Sequence, residues 1–248
     1  MRRLGAAALA VIAITGACSS GGGRHQVTVF AASSLTDAFK AMQKPFAAEH
    51  DNYTLTFSFA GSQQLAAQLD QGAHADALAT ADRETMQRVP ARGPHRPPVV
   101  FAENTLVIAV GHGNPNGVRT LADLGRPGLR VVLADPAVPA GRYAHDALAK
   151  ANVTVHPVSL EDNVEGVVTK VALGEADAGI AYATDTTAAR GVDGVQIPEA
   201  ENVRAEYLAT AVPFGDQRTG GEDFVAFLLS ARGQSILHRF GFLRAPRS

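Results

Sequence analysis

Tryptophan is absent from this 248-residue chain, and aromatic residues of all kinds amount to 6%. So few rings argue against a stacking platform for sugars or bases. Cysteine is nearly absent too: Cys18 stands alone, so no disulfide can form within the chain. Neither sign of charge dominates, with 22 basic and 24 acidic residues and a formal net charge of −2. Nothing therefore points to nucleic acid or to general binding at a membrane surface. Repeats at a solenoid period, an ATP motif and a Gly-x-Ser-x-Gly nucleophile elbow are all missing. The eight histidines, at 25, 50, 74, 95, 112, 145, 156 and 238, show no i, i+4 pairing of the kind a metal helix uses. Ser34 and Ser62 have no histidine beside them, so an enzyme reading lacks a nucleophile with its base.

What is present is ordinary for a globular protein, 46% hydrophobic and 19% charged. The length suffices for one large domain or two modest ones, each with a core. The front end stands apart. Met1-Arg2-Arg3 is a positive start, and Leu4 to Ala17 is apolar but too short to span a bilayer. We read residues 1–17 as a signal peptide and 18–26 as a flexible tether rich in Gly and Ser. Thr15-Gly16-Ala17-Cys18 resembles a bacterial lipoprotein processing site, although Thr15 stands where Leu is usual. That resemblance implies cleavage before Cys18 and lipid attachment to it; an ordinary secretory signal with an unpaired cysteine is the alternative.

The mature chain alternates strands with helices. Val27–Ala31 is a β-branched and aromatic run that predicts a buried strand. Ser33 and Ser34 follow, and Leu35, Ala38, Phe39 and Met42 then take up helical spacing. Tyr53–Phe59, Gly61-Ser62 and the helical pattern of Leu65 and Leu69 repeat this unit. A short third strand leads into a helix over 83–89, and Pro90–Pro98 is a loop. Thr105–Val110, Leu129–Ala134, Ala178–Tyr182 and Tyr207–Val212 predict strands. Helices are predicted from Ala140 to about Asn152, from Val164 to Leu173, over 221–230 and over 233–240. This order implies parallel sheets flanked by helices, in two lobes joined by crossing strands. The boundaries fall near Val110 and Glu206, giving 27–110 with 207–248 as one lobe and 111–206 as the other.

Four helix starts follow strands or turns and carry small or hydroxyl residues: Ser34, Ser62, Ala140 and Val164. Each offers free backbone N–H groups in the crevice beyond a strand's carboxyl end, where open α/β sheets bind ligands. Only Arg142 brings a basic side chain nearby. Such a set suits an oxyanion held by neutral donors and helix dipoles. Tyr182, at a strand end, adds a phenolic donor. Simple helix capping by Ser34 is the plainer alternative. Asp37 and Asp162 read as first-turn acids that complement the dipole. Tyr143 reads as a packing residue.

The motifs in order are Val29-Phe30-Ala31-Ala32-Ser33-Ser34-Leu35-Thr36, Phe59-Ala60-Gly61-Ser62, Gly72–Asp76, Asp135–Ala144, Glu161-Asp162-Asn163-Val164, Gly179–Asp185 and Arg239-Phe240-Gly241-Phe242. Together, from about residue 27 to 243, they resemble the periplasmic molybdate-binding proteins of ABC transporters. The resemblance implies an α/β, two-lobe fold of the type II periplasmic-binding class, with the ligand in the inter-lobe cleft. It places the oxyanion contacts on Ser34, Ser62, Ala140, Val164 and Tyr182. It implies no catalytic residue, cofactor or metal-cation ligand, and molybdate or tungstate as ligand. The implied partners are a membrane permease with a cytoplasmic ATPase, for a monomeric receptor anchored by lipid on the extracytoplasmic face. Two departures are the proline-rich 90–98 loop and Leu208, where the family often has proline after tyrosine.

Selectivity has a physical basis. A donor-only site leaves the proton of hydrogen phosphate without an acceptor, so a fully deprotonated tetrahedral dianion fits better. Sulfate, molybdate and tungstate then differ in radius, which the sequence does not encode; the resemblance favours the last two.

Overall fold

The computed structural model describes residues 24–89 and 96–245. The signal segment, Cys18, most of the tether, His95 and residues 90–95 of the proline-rich loop lie outside them.

The chain opens with β1 (His25–Ala32), whose apolar run is buried from Val27 onward except at Thr28. A 3₁₀ turn, Ser33–Leu35, leads directly into α1 (Thr36–Glu49). Then come β2 (Tyr53–Ala60), α2 (Ser62–Asp70), β3 (Ala77–Thr80) and α3 (Arg83–Gln87). The long β4 (Val99–Gly111) precedes a 3₁₀ turn, Leu121–Gly125. Next are β5 (Val131–Ala134), α4 (Pro139–Lys150), β6 (Ser159–Glu161), α5 (Val164–Ala172) and β7 (Ala178–Tyr182). The chain continues through α6 (Ala183–Ala188), β8 (Val192–Gln196) and β9 (Arg204–Ala211). It finishes with α7 (Arg218–Leu229), α8 (Ala231–Arg239) and β10 (Leu243–Arg244).

The strands follow the order β2-β1-β3-β9-β4-β7-β5-β6, with β8 and β10 also paired to β4. Two parallel cores, β2-β1-β3 and β6-β5-β7, agree with the alternating pattern. Between them β9 and β4 run antiparallel to their neighbours, so the sheet is mixed. The reason lies in β4. Its first part, Val99–Thr105, pairs with β9, whereas Leu106–Val110 pairs with β7 and the residues up to Gly111 with β8. One strand thus bridges the two parallel cores, through β9 on one side and β7 on the other.

Phe39 is the centre of the first core. Its ring lies 5.7 Å from Phe57, 6.0 Å from Phe101 and 5.3 Å from Phe224, drawing α1, β2, β4 and α7 together. Several elements go beyond the sequence reading, the short β10 among them. The helix α6 and strand β8 occupy 183–196, where no element was predicted, and α6 is only six residues long. α7 starts three residues ahead of the predicted Gly221, with Gly220 and Gly221 buried within the helix.

The Gly72–Asp76 motif has a structural task. The buried Asp76 carboxylate accepts the Thr28 N–H at 2.7 Å and the Gln217 N–H at 2.6 Å. Its own carbonyl accepts the Val212 N–H at 2.8 Å. One side chain thereby ties β1 to the entry of α7. Asp76→Ala leaves two donors without acceptors, so it is expected to cost about 2–6 kcal/mol, at about 1–3 per orphaned group. Denaturant unfolding measures this, and Asp76→Asn, which keeps one carbonyl acceptor, should lose less.

Candidate functional site

All five residues expected to meet the ligand border one small cavity of about 10 Å³. Its walls are Ser33-Ser34 after β1, Gly61-Ser62 after β2, Val138–Ala140 after β5, Asn163-Val164 after β6, and Tyr182 at the end of β7. Every contributor sits at the carboxyl end of a strand. That is where parallel α/β units leave helix N-termini pointing outward.

Each entrance is built to leave a donor free. In α4 the first position is Pro139, which has no N–H, and no side chain caps the helix. The first bond back along the turn runs from Arg142 N–H to the Val138 carbonyl at 3.0 Å, so the Ala140 N–H has no intrahelical acceptor. Gly141 is obligatory here: a Cβ would lie 2.1 Å from the Asp135 carbonyl oxygen. In α5 the Asn163 side chain accepts the Gly166 N–H at 3.0 Å, leaving the Val164 N–H uncapped. The Ser62 Oγ accepts the Ala81 N–H at 3.1 Å, so the hydroxyl proton remains for the cavity. Tyr182 is 1% exposed, and its hydroxyl has no hydrogen-bond partner among the described residues. Burial holds this phenol well above its ordinary range, so it stays a protonated donor.

No charged side chain of either sign lines the cavity. Arg142 turns away: its guanidinium pairs with the Asp82 carboxylate, donates to Thr85 Oγ1 at 3.0 Å and lies 3.3 Å from Glu84. Asp37 is a first-turn acid of α1, as predicted, and borders a neighbouring cavity with Glu165 and Asp185. Asp162 is a correction. It precedes the Asn163 cap and so lies outside α5, whose first-turn acid is Glu165. Its carbonyl instead accepts Gln63 Nε2 at 2.9 Å, where the two walls meet. They meet so closely at Gly61 that a Cβ would lie 2.6 Å from that carbonyl oxygen. Tyr143 packs against the core, and burial raises its phenol as well.

Sequence reasoning missed Tyr207 as part of this region. Its hydroxyl lies 2.9 Å from Ser34 Oγ. Tyr207 was visible as the head of a strand, but no spacing links it to a serine 173 positions away.

Asp185 supplies a pH signature. Burial pushes its carboxyl up to about 8, and Glu165 and Asp37 act in the same direction, against the Tyr182 N–H that it accepts at 3.2 Å. The folded chain keeps this proton up to about pH 8, whereas the unfolded chain releases it near 3.8. Unfolding therefore releases a proton across that window, and this group's contribution falls as pH rises from about 4 to about 8. Asp123, Asp177 and Asp193, all held below the usual carboxylate range by hydrogen bonds, matter only at the acid end. Asp185→Asn is expected to flatten the decline in stability between pH 5 and 8, read by denaturant unfolding across pH.

A family model described as bacterial extracellular solute-binding protein matches residues 27–243. The molybdate-binding protein ModA of Mycobacterium tuberculosis is 39% identical, covering 90% of this chain and 86% of that relative. Among solved structures, the sulfate-binding protein SubI of Mycobacterium tuberculosis H37Rv aligns with a TM-score of 0.77 at 17% identity, covering 90% of this chain and 88% of that one. The periplasmic molybdate-binding protein of Azotobacter vinelandii aligns with a TM-score of 0.72 at 16% identity, covering 89% and 100%. The sequence match and the fold agree: the chain belongs to the bacterial extracellular solute-binding proteins, with the α/β fold of their type II class.

Proposed function

We propose that this solute receptor binds molybdate, and tungstate with it, for delivery to an ABC importer. The observation that carries the reading is the cavity bordered only by neutral groups, with the buried, unpartnered Tyr182 hydroxyl at its edge. In this reading Ser34 and Ser62 donate through hydroxyl and backbone N–H, Ala140 and Val164 through backbone N–H, and Tyr182 through its hydroxyl. Charge-assisted bonds to a dianion are roughly twice as strong as neutral ones, so five such contacts suffice without a basic side chain. The ligand leaves unchanged, so no catalytic group is required.

The 39% identity to a molybdate-binding protein supports molybdate over sulfate. Sulfate is the second reading, favoured by the likeness of fold to SubI. Both dianions satisfy a donor-only ring; hydrogen phosphate does not, because its proton finds no acceptor.

The lobes are proposed as 27–110 with 207–248, and 111–206. The partner switch at Thr105/Leu106 in β4 supports a hinge between them. A ligand touching both walls stabilises the closed arrangement over the open one. The closed receptor then docks, as a monomer, on a permease with its cytoplasmic ATPase. Attachment is assigned to lipid on Cys18, which follows the small residues Thr15-Gly16-Ala17 of a lipoprotein-like processing site.

Thermal unfolding of the full chain tests this. Molybdate and tungstate should raise the midpoint; a ligand at a hundred times its Kd adds about 2.7 kcal/mol. Ser34→Ala with Ser62→Ala should abolish the rise. Tyr182→Phe should leave the unliganded midpoint unchanged or higher, since it removes an unpaired buried hydroxyl, while shrinking the ligand shift. A rise with sulfate alone moves the substrate, and no rise with any oxyanion overturns the site.

A further inference from the structure

We propose that Gly61 is a positioning residue for the anion site: with no side chain there, the Asp162 carbonyl comes to rest against the opposite wall, and the walls close fully on the ligand. The inference rests on the receptor reading and the lobes proposed above, and deepens them.

The contact lies where closure moves the chain most. In the strand order β2-β1-β3-β9-β4-β7-β5-β6, β2 stands at one end and β6 at the other. Gly61 follows β2 directly and Asp162 follows β6 directly. Gln63 Nε2, at the start of α2, nevertheless donates to the Asp162 carbonyl at 2.9 Å. The fold thus brings the two ends of the strand path together, with the proposed hinge in β4 between them. A rotation at β4 parts these ends. The Arg142–Asp82 pair is placed differently, because the adjacent Arg83 pairs with Glu206 of β9 at 2.9 Å, beside the crossing strands. Ser62 adjoins Gly61, and Val164 lies two residues past Asp162, so the contact flanks proposed donors of both walls.

Neither wall needs the contact for its own structure. Gln64 Oε1 accepts the Gly61 N–H at 3.2 Å, and the Gly61 carbonyl accepts the Gln64 and Leu65 N–H groups at 2.9 and 3.1 Å. Across the gap, Asn163 caps α5. Gly61 has φ −59° and ψ 137°, a conformation open to any residue, so the local backbone gives no reason for glycine. The facing wall does. A Cβ at 61 would lie 2.6 Å from the Asp162 oxygen, a backbone atom that moves only with its wall. It would lie equally close to both amide atoms of Gln63, but that side chain is free to swing aside. Gln63 does not lock the walls by itself. Its bond to Asp162 comes with its own Oε1 buried and without a partner among the described residues, so the net gain is small. Full closure is left to the ligand.

Gly61→Ala and Gln63→Ala in the full chain test this. The probe is sodium molybdate, or sodium sulfate where the wild-type chain takes that instead. Gly61→Ala is expected to keep or slightly raise the stability of the unliganded chain in denaturant, because alanine fits that backbone. By calorimetric titration it should bind the oxyanion at least about tenfold more weakly. At saturating oxyanion it should stay less compact than the liganded wild type in small-angle scattering. Gln63→Ala should change affinity by less than about threefold. Added to Gly61→Ala it should not restore binding, because the obstacle is the backbone carbonyl. The proposal is overturned if Gly61→Ala binds as the wild type does, or reaches the same compactness when liganded. It is equally overturned if Gly61→Ala destabilises the unliganded chain, if Gln63→Ala costs as much affinity, or if the double variant regains it. A wild-type chain that binds neither oxyanion overturns the receptor reading and this proposal together, so the wild-type titration separates the two failures.

Discussion

In the proposed reading an anion taken out of water must recover its hydration from the protein, and that task falls on groups without formal charge. The consequence is geometric. Neutral donors act only at contact distance, so several chain segments must reach the same small volume. Strands ending at Ala32, Ala60, Ala134, Glu161 and Tyr182 deliver them. Pro139, Gly141 and Asn163 then ensure that the local chain neither blocks nor consumes the donors. Arg142, the cation nearest in sequence, spends its guanidinium on Asp82, Glu84 and Thr85. It joins α4 to α3 and contributes to holding the walls together.

The same demand explains β4. Donors from two parallel cores converge only if the cores are coupled, and β4 couples them by pairing with β9 and then with β7 and β8. Where it changes partner, the backbone groups of Leu106 pair with a side chain. Asn202 Oδ1 accepts the Leu106 N–H at 3.1 Å, and Asn202 Nδ2 donates to the Leu106 carbonyl at 2.8 Å. One amide thus replaces a strand neighbour. Side-chain bonds of this kind break and re-form at lower cost than a full ladder, which suits the hinge proposed between the lobes.

Much of this was legible in the sequence, for a local reason. A β-branched run ending in small residues before a helical pattern is a short-range signal, and Val27–Phe39 carries it whole. The five cavity residues follow from four such junctions and a strand end, each read within about a dozen residues. What stayed hidden is long-range or faint. The antiparallel course of β9 depends on its partners in space, and α6 is too short to show a helical period. Asp162 was misassigned because the cap is the next residue, a shift of one position that the spacing alone does not resolve. The tyrosine behind Ser34 needed a contact spanning 173 positions.

Neutrality extends past the cavity wall. Asp185 accepts the backbone N–H of Tyr182, so its carboxyl lies just behind a cavity-lining residue. An ionised carboxylate there would oppose an incoming dianion, in a low-dielectric setting where such repulsion is strong. Burial instead keeps Asp185 protonated up to about pH 8. A bound dianion disfavours the carboxylate further, and by linkage the proton on Asp185 favours the dianion. The site therefore avoids charge on the wall and directly behind it. In the proposed reading, selectivity for deprotonated oxyanions and tolerance of a nearby acid have one cause: burial around Tyr182 keeps Asp185 neutral, while Asp82 is neutralised by its ion pair with Arg142.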